Sequence, residues 1–169
     1  MNALPELGTE PLSQRRLYAL SLAAPEALPR SITLPTEHFA CLLAWDARGV
    51  TENQVSDVAR SLIASGASYF VCWGPDCQRV HDIIDKVANE KESPVPHDSC
   101  IMTTSHDDEP LEEAIWFFLV CTSPESHYEE KTGSSLAVSI GSLEWERTIS
   151  EALRNVREFE SRIGDVGVA

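Results

Sequence analysis

The stretch HFACLLAWD, residues 38–46, is apolar at nearly every position. It lacks the two-residue alternation of a half-exposed strand and so predicts a parallel strand covered on both faces. Three more short apolar runs follow: SYFVCW at 68–73, SCIMTT at 99–104 and SLAVSI at 135–140. Between them the apolar residues take helical spacing. In VTENQVSDVARSLIASG, Val55, Val58, Ala59, Leu62 and Ile63 share one face, Thr51 and Gln54 have capping-box spacing, Val50 and Val55 are placed as a hydrophobic staple, and Gly66 suits the stop. Val80, Ile83, Ile84, Val87 and Ala88 define a second helix, with Asp76 as its expected N-cap. LEEAIWFFLVC predicts a third, with Asp108 or Glu109 as cap and Pro110 in the first turn. Ser142 opens a fourth, which carries Trp145, Ile149, Ala152, Leu153, Val156 and Phe159.

Four strands alternating with four helices predict a three-layer α/β sandwich on a short, mostly parallel sheet of four to five strands, flavodoxin-like or Rossmann-like in type. A single domain over 37–163 accounts for the alternation. Residues 1–36 are proline-rich with one apolar stretch, RRLYALSL, and read as a partly ordered arm in which that stretch is an added strand or a docking helix turn. Residues 164–169 read as a C-terminal tail. The third helix has six large apolar residues in succession, Ile115 to Val120, more than one side of a surface helix needs. Deep burial is the first expectation. Additional cover must come from the N-terminal arm or from a homodimer contact anchored by Trp116 or Phe117.

Composition narrows the partners. Thirteen basic against 27 acidic residues give a net charge of −14, which repels phosphate backbones and excludes nucleic acid. The ordinary role of such a surface is solubility, and its functional reading is contact with a basic protein or a cationic ligand. The five cysteines, Cys41, Cys72, Cys77, Cys100 and Cys121, form an odd set with three in apolar runs, as expected of reduced thiols in a cytoplasm. No signal-peptide pattern and no run of membrane-spanning length occurs, so neither secretion nor a membrane is expected.

In an open parallel sheet, ligands bind beyond the carboxyl ends of the strands. The predicted elements place Asp46, Trp73, Gly74, Asp76, Cys77, Thr103, Thr104, His106, Asp107, Asp108, Gly141 and Ser142 on that rim. Asp76, Asp108 and Ser142 have an ordinary reading as helix caps, and the two glycines as turn residues. Cys77, in a first helical turn, is expected to be the most reactive thiol because the helix dipole favours its thiolate, although it shares a face with Val80 and Ile84. His106 is a candidate general base, with Asp107 or Asp46 to orient it and Cys77 as nucleophile. With strand order 2-1-3-4, Cys77 and His106 stand about 9–10 Å apart with Asp46 between them. WGPDC has a single glycine and no P-loop lysine, and no tight metal-ligand spacing occurs, so no cofactor and no metal are expected.

The segments FVCWGPDC, 70–77, and CIMTTSHDDEPLEEAIWFF, 100–118, resemble those of a family of small acidic bacterial proteins known only as a domain of unknown function, which shows WG-x-DC and MTT-x-H-x-DEPLEE motifs. The resemblance spans about residues 38–150 and departs at Ser105, where relatives often carry tryptophan. It implies a bacterial origin and an intact single domain, and no mechanism. Two functions follow from the sequence. The first is a non-catalytic acidic binding or accessory module, of immunity or regulatory type, that contacts a protein through a rim of Trp73, Asp76, Thr104, Asp108 and Ser142. The alternative is a small-molecule enzyme with a His/Asp/Cys site at the strand ends. The absence of a complete catalytic constellation favours the module.

Overall fold

The computed structural model describes residues 3–167. It is a three-layer α/β sandwich. The strands are β1 (Gly8–Thr9), β2 (Arg16–Leu22), β3 (His38–Trp45), β4 (Ala67–Trp73), β5 (Met102–His106) and β6 (Thr132–Ile140). The helices are α1 (Glu52–Ala64), α2 (Cys77–Ala88), α3 (Leu111–Val120), α4 (Ser126–Glu129), α5 (Leu143–Arg154) and α6 (Val156–Gly167). The sheet runs β1-β2-β6-β3-β4-β5, and every pairing is parallel except the short β1–β2 hairpin. Six strands thus stand where four to five were expected.

Strand β3 is buried from Phe39 to Trp45, as its unbroken apolar pattern requires. Its odd-numbered side chains, Phe39, Cys41, Leu43 and Trp45, pack with α1 and α2. Ala40, Leu42 and Ala44 pack on the other face with α3, α5 and α6. Helix α1 begins with the expected capping box: Thr51 Oγ1 accepts the Gln54 N–H at 3.1 Å, and the Gln54 side chain accepts the Thr51 N–H at 3.0 Å.

Counted from β3, the last four strands lie in the order 3-2-1-4, the Rossmann arrangement rather than 2-1-3-4. This places β4 directly beside β5, with Trp73 opposite His106. Strand β5 starts at Met102, later than the predicted 99–104 run, so Cys100 lies outside the sheet and is exposed rather than a core thiol.

Residues 16–22, read from sequence as part of a partly ordered arm, form a strand paired along its whole length with β6. Leu17 and Tyr18 in it are buried in opposite cores. The connection to β3 covers the α1 face with Ile32, whose N–H donates to Ser65 Oγ at 2.9 Å. The C-terminal helix breaks at Asn155 into α5 and α6. Of the expected tail, 164–167 continue α6, and 168–169 lie outside the described residues. Val156 and Phe159, at the start of α6, pack in the cluster that holds α3. Cover for that apolar helix thus comes largely from within the chain.

Tight passage at the end of β4 depends on Gly74. Its φ is +118°, and a Cβ there would stand 2.3 Å from the Trp45 carbonyl oxygen. Gly74→Ala is expected to destabilise the fold by about 1–3 kcal/mol or more, from left-handed strain and the clash together. Urea unfolding measures it, and an unchanged midpoint would contradict the close approach of β3 and β4 at this turn.

Candidate functional site

At the carboxyl ends of β4 and β5 the sequence-predicted residues gather, but into different sets from those expected. His106, only 6% exposed, ends β5. Its Nε2 lies 2.9 Å from Thr104 Oγ1, its Nδ1 lies 3.1 Å from Glu109 Oε2, and its ring packs 4.6 Å from that of Phe117. The carboxylate at the His106 ring is Glu109, where Asp107 or Asp46 was the expected partner. In the sequence Glu109 has the look of a helix cap, and the His-x-x-Glu spacing across a tight loop is the signal for this pairing. Its backbone also contributes, because the Glu109 carbonyl accepts from Trp73 Nε1 at 2.8 Å. Trp73 in turn meets Trp145 edge-on at 4.9 Å, and Ser142 caps α5 as expected, accepting the Trp145 N–H at 3.2 Å. These contacts join the ends of β4, β5 and β6.

Cys77 belongs to a separate pair. Its thiol donates to Asp107 Oδ1 at 3.2 Å, and no hydrogen bond joins it to the His106 ring. Burial pushes this thiol up to about 11, with the Asp107 carboxylate acting in the same direction and backbone groups opposing. Desolvation and the carboxylate partner thus oppose the thiolate that the first-turn position favours. Asp46 is not between the two. It holds Arg48 through contacts at 3.0 and 2.7 Å, and that hydrogen bond keeps its carboxyl below the ordinary value.

Asp76 takes the expected N-cap position of α2 but without a side-chain cap bond, and Asp108 is not a cap. Asp76 has φ +66° and Asp108 φ +57°, left-handed conformations that aspartate tolerates better than most residues. The Asp76 side chain makes no cap hydrogen bond and instead accepts from Arg79 Nε at 2.7 Å. Arg79 also donates to the carbonyls of Ala47 and Val50, tying α2 to the loop after β3. At the start of α3 the cap position is Pro110, without a side-chain bond. Trp116 and Phe117 are half-buried against the α3 core.

Both arginines of the rim loops are thus paired with carboxylates of their own loops, Arg48 at the surface and Arg79 half-buried. Around them Asp107, Asp108, Glu113 and Glu144 are exposed, as is Leu143, 70% of whose surface meets solvent. None of the concavities described is lined by Thr104, His106 or Cys77. One of about 300 Å³, lined by His38, Tyr128, Ile101 and Pro94, opens at the amino end of β3. The loop after β3, where a dinucleotide phosphate would sit in a Rossmann arrangement, carries Asp46 and a single glycine, Gly49. No helix among the described residues is long and apolar enough to cross a membrane.

Timed alkylation of the native protein checks the thiol assignments. Cys100 is expected to label first and Cys77 much later, because only the former is exposed. Early labelling of Cys77 would contradict its burial against Asp107.

Among known families, the model of a domain of unknown function, DUF7684, matches residues 17–156. Its span takes in β2 through α5. No curated protein and no solved structure matches the chain.

Proposed function

The chain belongs to the DUF7684 family, whose function is unknown, and we propose that it is a non-catalytic acidic binding module whose carboxyl-end rim contacts a basic protein partner, in a complex of immunity or regulatory type. One observation carries this reading: the groups that could do chemistry at the strand ends are engaged with one another. Both His106 ring nitrogens have partners, and the Cys77 thiol is held by Asp107. The rim's solvent-facing side chains include the carboxylates of Asp107, Asp108, Glu113 and Glu144, Leu143, and Arg48, whose charge is paired with Asp46. Such a surface steers a cationic partner and repels nucleic acid.

The enzyme reading has a specific observation of its own. Thr104 Oγ1, the His106 imidazole and Glu109 form a hydroxyl–imidazole–carboxylate line like that of acyl-transfer triads. Access weighs against it. The ring is buried, and Thr104 Oγ1 also turns toward the Phe70 carbonyl at 3.5 Å. A general base must reach its substrate, and this one meets Phe117 instead.

The test is affinity capture from the native host with the wild type, a rim variant carrying Glu113→Lys and Glu144→Lys, and an amino-end control carrying Glu37→Lys and Glu129→Lys. A basic protein held by the wild type and the control, and lost at least about tenfold by the rim variant and in high salt, is the expected result. Equal retention by both variants would overturn the rim assignment.

A further inference from the structure

Glu10 and Glu160 form a carboxyl pair that the rim does not use. Glu10, 1% exposed, closes the 10–15 turn of the β1–β2 hairpin: its carboxylate accepts the N–H of Leu12 at 3.0 Å and the N–H of Ser13. The hairpin sits tightly on the α5–α6 junction, since a Cβ at Gly8 would stand 2.7 Å from the Leu153 carbonyl oxygen. From the same turn, Arg15 reaches the end of α3, donating to Thr122 Oγ1 at 2.7 Å and to its carbonyl at 3.0 Å. Glu160 of α6 lies against Glu10, and its Oε1 is buried with no hydrogen-bond donor in reach.

A buried carboxylate oxygen beside a second carboxylate has no favourable state, whereas a carboxyl O–H in that place donates to Glu10. We propose that α6 is a pH-sensitive latch, closed by a proton shared between Glu160 and Glu10 and released when that proton leaves. The proton resides on Glu160. Burial raises its pKa to about 7, and the charge and hydrogen bonding of Glu10 add to the rise, with Arg157 opposing. Burial works against ionisation of Glu10 too, but the hydrogen bonds of Ser13 and Leu12 hold it below the ordinary value. Arg15 faces Glu10 from the α3 side.

The sign follows from proton counting. Between pH 4.5 and about 7 the native chain binds a proton at Glu160 that the unfolded chain has lost, so the latch weakens as pH rises through this window and stays weak above it. The lowered pKa of Glu10 acts only in more acid solution. What opens is the α3 face that α6 covers through Val156 and Phe159, with Trp116 and Phe117 at its margin. The latch thereby makes exposure of an aromatic helix a function of pH near neutrality.

Hydrogen exchange of α6 amides, measured by mass spectrometry from pH 5.5 to 8 and corrected for intrinsic rates, tests the latch, with β3 peptides as the internal standard. In the wild type the opening of residues 156–167 is expected to increase at least about tenfold across this range while β3 stays constant. In Glu160→Gln the amide donates to Glu10 without titrating, and protection should be the same at both ends of the range. A flat wild-type profile overturns the latch, as does equal pH dependence in wild type and variant. The wild-type profile alone decides the matter should the variant not fold.

Discussion

The whole arrangement depends on the burial of β3 on both faces. A strand apolar at successive positions cannot stand at an edge or face water, so it demands a neighbour on each side and a helical layer above and below. β6 and β4 supply the neighbours, and the two helix sets supply the layers. Placing β6 on one side of β3 sends β4 and β5 to the other, and it is this ordering that brings Trp73 opposite His106. The chemistry of the strand ends is thus a consequence of sheet order.

Much of this architecture was legible because it is local. Thr51 with Gln54 and Ser142 with Trp145 are caps written in spacing, and the helix faces of α1, α2 and α5 follow from apolar periodicity. What was not legible is non-local or conformational. Strand order depends on pairings between distant segments, and a 2-1-3-4 order would have separated the residues that β4 and β5 bring together. RRLYALSL is short enough to read as strand or helix turn, and only its partner β6 decides. Asp76 and Asp108 have cap chemistry but left-handed backbones, a property of the turn geometry around them. The Glu10–Glu160 contact joins the two ends of the chain, and no pattern along the sequence announces it.

The rim shows how candidate residues can be positioned correctly and still have other work. His106, Cys77, Asp46 and Asp76 all lie at the strand ends, as the parallel sheet dictates, yet each is bound to a neighbour that the sequence reading did not pair with it. Their hydrogen bonds fasten β4 to β5 and α2 to the loop after β3, beneath an outer layer of carboxylates with Leu143 and the Asp46-paired Arg48. A binding surface built on such a rigid base needs no chemistry of its own.

The central claim is that the His106 imidazole is a structural element locked between Thr104 and Glu109. The most direct measurement is the nitrogen-bound ring proton of His106 in the NMR spectrum. The account predicts a proton protected from exchange with water, and its loss in Glu109→Ala. A ring proton that exchanges freely with bulk water in the wild type would contradict it and return His106 to the role of an accessible acid or base.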